Sequence, residues 1–233
     1  MPIVMRPEDP RWRRGSPWVE LVFVRLRREG LDEMDTLIRR IIGLGSALAL
    51  GLLAPMSVLA DGPSYNYFEI GYVKADIDDP GADIDGDGFG IGGSVGFAEN
   101  WFMFANYADL GFDFDIDVNT FDVGFGYHYP MSDTTDFAVT AEYARAEAKE
   151  SGFGSIDDDG YGVGLLIRSM LSDAFELNGG INYVDFGGTD GSDTSFTVGG
   201  IYSFTDTVGF GARVEMGDDV TLYQLGFRFY FNK

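Results

Sequence analysis

ADIDGDGFGIGGSVGF, residues Ala82 to Phe97, carries two readings that exclude one another. Its first half, Asp83-Ile84-Asp85-Gly86-Asp87-Gly88, has the D-x-D-x-D-G opening of a calcium-binding loop. Its second half alternates Phe89, Ile91, Val95 and Phe97 with glycine and serine, as a strand does when its two faces meet different surroundings. A helix–loop–helix calcium hand starting at Asp83 needs a bidentate Glu at position 12 and a helix after the loop. Ser94 stands at that position, and residues 89–97 have the two-residue period of a strand. The hand is excluded on both counts.

This strand has companions. From Tyr65 onward, ten segments of roughly ten residues alternate in the same way and are separated by turn chemistry. One face is large and apolar throughout: Phe68, Ile70, Tyr72 in the first segment, Trp101, Met103, Tyr107 in the third, Phe121 to Tyr129 in the fourth. The pattern continues with Phe137 to Tyr143, Tyr161 to Ile167, Phe175 to Tyr183, Phe196 to Phe204, Val208 to Met216 and Tyr223 to Phe231. No charge falls on that face. The other face holds Gly, Ser, Thr, Asn and the charges Glu69, Asp122, Glu142, Arg168, Glu176, Arg213, Glu215 and Arg228. Lipid contact enforces such an exclusion, since Arg or Lys at mid-bilayer costs about 2–4 kcal/mol. A soluble sandwich would bury the apolar face instead. Aromatic residues at strand ends and a glycine-rich polar face favour the membrane.

Composition agrees. The chain has 233 residues, 33 glycines, 20 phenylalanines, 12 tyrosines, no cysteine and a formal net charge of −22. That charge repels phosphate and argues against a nucleic-acid partner. Aromatic content of 15% argues against disorder.

The chain is expected to divide in three. Residues 34–60 read as a signal peptide: Arg39-Arg40, the apolar run Ile41–Leu53, then Val58 and Ala60 before Asp61. The run has 13 residues, short of the ~20 that a spanning helix needs. Residues 1–33, with seven arginines and no motif, read as an overlong, unstructured start. Residues 61–233 form the barrel.

Connections alternate in length, with short turns after Phe97, Tyr129, Arg168 and Phe204. Longer acidic outer loops are expected at Ala75–Asp87, Leu110–Asn119, Ala146–Asp159 and Asp185–Asp193; the last connection, Gly217-Asp218-Asp219, is short. That alternation fits periplasmic turns and cell-surface loops. The fold class is therefore all-β: a closed antiparallel up-and-down transmembrane barrel of ten strands, with eight as the alternative. Phe137–Lys149 has helical propensity, but a helix there would break closure.

The last strand, Gln224-Leu225-Gly226-Phe227-Arg228-Phe229-Tyr230-Phe231, resembles the C-terminal assembly signal of outer-membrane barrels. With the signal peptide, it makes residues 61–233 resemble the small OmpA/OmpX-like, porin-family barrels. Ser64–Val73 is similar to the start of such barrels from Xanthomonas-type bacteria. The chain departs from the pattern where Asn232-Lys233 follow the terminal Phe. The resemblance implies a cell outer membrane location in a Gram-negative bacterium. It also implies assembly through Gln224, Gly226, Phe227, Phe229 and Phe231 by the barrel assembly machinery and periplasmic chaperones. Outer-membrane lipid and lipopolysaccharide would be its surroundings, and a monomer its state.

Three sets of residues are candidate sites. Asp83, Asp85 and Asp87 are weak candidates for loose divalent binding, with a solvated acidic loop as the alternative. His128 is the sole histidine and is placed at the periplasmic rim, with no nucleophile in view, so no enzyme and no cofactor are expected. The lumen charges are Glu69, Glu142, Arg168, Glu176, Arg213, Glu215 and Arg228. Arg168 with Glu176 across a hairpin, Arg213 with Glu215 on one strand, and Glu69 with Arg228 at the closure are the expected pairs. Phe102 and Phe104, facing inward, would add filling. Two functions follow: a plugged barrel with a structural or surface-interaction role, or a small cation-preferring pore for small solutes.

Overall fold

The computed structural model describes residues 62–79, 82–112, 116–150, 154–186, 192–217 and 220–231. The expected start and signal segments, 1–33 and 34–60, lie outside the described residues. Ten strands follow in order: β1 (Tyr67–Asp79), β2 (Ala82–Gly96), β3 (Trp101–Phe112), β4 (Ile116–Ser132) and β5 (Thr135–Glu150). Then come β6 (Gly154–Ser172), β7 (Phe175–Asp185), β8 (Ser192–Ser203), β9 (Val208–Met216) and β10 (Val220–Tyr230). Each pairs antiparallel with its sequence neighbours, and β1 closes on β10. Ten strands form, not eight.

Alternation carries the fold. In β3 the exposed Trp101, Met103 and Ala105 alternate with the buried Phe102, Phe104 and Asn106. In β10 Leu225, Phe227 and Phe229 are 49%, 48% and 42% exposed, while Arg228 between them is 1% exposed. Leaving that much apolar area in water forgoes roughly 25 cal/mol per Å²; in a bilayer it forgoes nothing. The alanine- and glutamate-rich stretch Phe137–Lys149 is strand, because β4 and β6 flank it along its whole length. Tertiary pairing overrides its helix propensity.

Two aromatic belts bound the lipid-facing band. One holds Phe97, Trp101, Tyr129, Phe175, Tyr202 and Phe204; the other holds Tyr72, Phe89, Tyr107, Phe121, Tyr143, Tyr161, Tyr183 and Tyr223. The first lies on the side of the two-residue turns 133–134 and 173–174 and of both strand termini, which the usual topology assigns to the periplasm.

Beyond the second belt the structure departs from the expected loops. Ala75–Asp87 is a paired hairpin, with Asp76 opposite Asp85 and Ile77 opposite Ile84. Leu110–Asn119 and Ala146–Asp159 are likewise strand for most of their length, whereas of Asp185–Asp193 only Asp185, Ser192 and Asp193 are strand and residues 187–191 lie outside the described ones. The alternation persists there with inverted polarity. Outward positions carry Lys74, Asp76, Asp85, Asp87, Asp117, Arg145 and Asp157, while inward ones carry Val73, Ile77, Leu110, Ile116, Val118 and the alanines 144, 146 and 148. Outside the bilayer the outer wall meets water, so charge belongs there and apolar groups move inside. Most of the described acidic residues there are on the outer face of a protruding barrel, while Asp158 and Asp193 face inward opposite Ala146 and Val184.

Closure leaves no strand edge for detergent to enter. Unheated protein is therefore expected to migrate differently from boiled protein on a denaturing gel. Identical migration together with solubility in detergent-free buffer would indicate a secreted sandwich instead.

Candidate functional site: the barrel interior

The interior has three layers. The periplasmic layer is aromatic and paired. Tyr65, Tyr67, Phe102, Phe104, Ala138, Leu166 and Tyr230 form one buried cluster. Glycines make room for it: a Cβ at Gly126 would stand 2.2 Å from the Phe102 ring. Arg168, fully buried, donates Nε to Glu176 Oε1 at 3.0 Å and Nη2 to Glu176 Oε2 at 3.1 Å, with its guanidinium 4.4 Å from the Tyr65 ring centroid. The diagonal offset of these two residues across the β6–β7 ladder, where Arg168 faces Asn178, brings fork against fork.

His128 sits at this mouth as expected, its Nδ1 3.0 Å from Asp136 Oδ2. Sequence reasoning missed both Asp136 and Tyr65, whose hydroxyl donates to the same carboxylate oxygen at 3.3 Å.

The middle layer is polar. Arg228 Nε donates to Glu69 Oε1 from the directly opposed position on the neighbouring strand, and its guanidinium lies 4.4 Å from the Tyr67 ring centroid. Arg213 donates from Nη2 to Gln224 Oε1 at 2.6 Å, tying β9 to β10, and Glu215 is buried two residues along the same face. Gln224, quoted in the sequence only as part of the assembly motif, is thus a lumen residue. Glu142 accepts from Asn182 Nδ2 at 3.0 Å, and Asp122 from Asn106 Nδ2 at 2.9 Å. Amides, which a search for charged partners passes over, are the partners here.

The outer layer is mainly apolar, although the register also turns Asp158 and Asp193 inward, opposite Ala146 and Val184. Val73, Leu110, Val118, Val184 and Leu222 are each no more than 3% exposed. No charged side chain of the expected network lies among them.

Asp85 and Asp87 are on the exposed outer wall, and Asp85 lies 3.5 Å from Lys74, which also bonds Asp76 at 2.5 Å. Asp83 falls in β2, and its side chain lies outside the described ones. Among the described residues no group of three or more His, Asp or Glu side chains is arranged to hold a metal ion. Of the assembly motif, Phe227, Phe229 and Phe231 face outward, while Gly226 lies against Gly71 at the β1–β10 seam.

A closed barrel with an uncharged lipid-facing band, two aromatic belts and a polar interior is an integral protein of the outer membrane. Residues 46–204 match the family described as "Outer membrane protein beta-barrel domain", and the chain belongs to that family. Its place is the cell outer membrane. No curated protein sequence matches the chain. Among solved structures it is similar to the KdgM porin, at 15% identity over 70% of this chain and 99% of that one, with a TM-score of 0.41. It is also similar to the outer membrane protein OprG from Pseudomonas aeruginosa, at 15% identity over 76% and 100%, with a TM-score of 0.40. A third is the translocator domain of the autotransporter NalP from Neisseria meningitidis, at 11% identity over 72% and 89%, with a TM-score of 0.44.

Proposed function

We propose that this protein is a closed, non-enzymatic barrel with a structural or surface-interaction role, holding an acidic β-wall above the outer leaflet while passing no solute. The observation that carries this reading is the apolar filling of the interior beyond the outer aromatic belt. An ion entering that layer would shed much of its hydration against Val73, Leu110, Val118, Val184 and Leu222, and apolar constrictions shut pores by dewetting. The lower layers add the Arg168–Glu176 and Arg228–Glu69 pairs, which fill the bore in place of water. Outer-membrane lipid and lipopolysaccharide surround the outward face. The barrel is a monomer, inserted by the barrel assembly machinery with periplasmic chaperones that read Phe227, Phe229 and Phe231.

A small cation-preferring pore is the second reading, favoured by Asp122, Glu142 and Glu215 buried in the middle layer and by the acidic outer wall. Conductance separates the two. Refolded protein in a planar bilayer is expected to give near-zero current; stable, cation-selective steps in most insertions would overturn the closed barrel and establish the pore.

A further inference from the structure

We propose that residues Gly62–Tyr65 are a latch closing the periplasmic mouth, releasable without unfolding the wall, to which Asn66 is tied by hydrogen bonds from Phe231 N to its carbonyl oxygen and from Gly96 N to its Oδ1. The segment forms no strand; it turns inward ahead of β1 and carries Tyr65, 4% exposed, into the barrel. The Tyr65 ring stacks on Phe102 at a centroid distance of 4.4 Å and on His128 at 4.3 Å. The Ser64 carbonyl oxygen accepts from Nη1 and Nη2 of Arg168 at 3.3 Å each. The Tyr65 hydroxyl bonds Asp136, and that same carboxylate faces His128. These contacts give His128 and Asp136 a task that neither plug nor pore assigns them.

The latch differs from everything else in the bore by its attachment. Wall residues are held by continuous ladders on both sides. The latch is held by ring contacts and by a few hydrogen bonds to Arg168 and Asp136, and segments of that kind open locally below the cost of global unfolding. Behind Tyr65 lies Leu166, 2% exposed and part of the same cluster. In front stands a cavity of about 370 Å³ lined by the latch together with Glu99, Trp101, His128 and Asp136. Opening would join that cavity to the Arg168–Glu176 pair and give the periplasm access to it. The inference rests on the closed-barrel reading in one respect only: the outer apolar layer stays shut when the latch opens, so release produces access from one side and no current.

The chain contains no cysteine, so Leu166→Cys supplies a single thiol behind Tyr65. Its reaction rate with a small cationic methanethiosulfonate is measured on the refolded full chain carrying Tyr65, Tyr65→Phe or Tyr65→Ala, with the heat-dependent gel shift as the control for folding. Tyr65→Ala is expected to react about tenfold faster or more, as an eased local opening gives, and Tyr65→Phe close to the parent because the ring stacking remains. Should Tyr65→Ala lose the gel shift, Tyr65→Leu takes its place, keeping bulk while losing the hydroxyl and the stacking. Equal rates in the parent and in the Ala or Leu variant would overturn the latch. Faster labelling without current supports it together with the outer seal. Faster labelling that brings current upholds the latch and refutes the closed outer layer.

Discussion

Arg168→Ala is expected to lower the urea midpoint of the folded barrel by the equivalent of about 3–5 kcal/mol, the cost of breaking a buried ion pair from one side. The side chain is fully buried and Glu176 is 3% exposed, so removing the guanidinium leaves a carboxylate with neither its cation nor water. It also takes away both donors to the Ser64 carbonyl and the cation over Tyr65. The companion variant separates charge from packing. Arg168→Met combined with Glu176→Leu leaves no charge to strand, and apolar replacements of buried pairs are often neutral or stabilising; it should recover most of the loss. A single-variant effect within the surface range of ~0–1 kcal/mol would mean that water reaches the pair, and the plugged lumen would fall with it.

The lipid-facing part of the fold was legible because one constraint acts on every strand alike. A bilayer tolerates no charge from Phe68–Tyr72 in β1 to Tyr223–Phe229 in β10, so alternation alone separates the two faces and gives the strand count. Two lumen pairs were legible for a related reason: Arg168 and Glu176 flank one turn, and Glu69 and Arg228 meet where first and last strands close. The outer strand extensions were not legible. At Ala75–Asp87 and Ala146–Asp159 the two-residue period continues, but the large apolar side chains change sides once the wall leaves the bilayer. A template that seeks apolar groups outward therefore stops there and reports an acidic loop. Ile77, Ile116 and Val118, buried on the inner face, were the available sign of the inversion.

Tyr65 was illegible for a different reason. It precedes the first strand, has no periodic context, and meets Asp136 71 residues away. Nothing local marks it as a lumen residue. Gln224 was visible, but its place in the lumen was not, because an amide carries no charge to pair and the assembly motif already accounted for it. Arg213 shows what the amide does: it is a strand-to-strand tie inside the bore.

Gly226→Ala is expected to prevent the barrel from closing. Gly226 faces Gly71 across the seam between the last strand and the first. A Cβ on Gly226 would lie 2.7 Å from the Ile70 carbonyl oxygen and 2.9 Å from the Gly71 Cα, and one on Gly71 would lie 2.6 Å from the Leu225 carbonyl oxygen. All three neighbours are backbone, so no rotamer change relieves the clash. Overpacking typically costs about 1–3 kcal/mol where neighbours can shift. Here the shift must separate two strands whose register runs unbroken from Tyr67 opposite Tyr230 to Ile77 opposite Val220. The Glu69–Arg228 pair lies two residues from the contact and would be pulled apart with it. The heat-dependent gel shift should vanish, whereas Gly96→Ala, whose added Cβ would stand 3.7 Å from Asn66 Oδ1, should keep it. Because Gly226 also belongs to the motif that resembles an assembly signal, the measurement is refolding of purified, urea-denatured protein into detergent, with no assembly machinery present. Normal refolding in detergent alongside failed insertion in cells would make Gly226 a recognition residue and disprove the steric account of the seam.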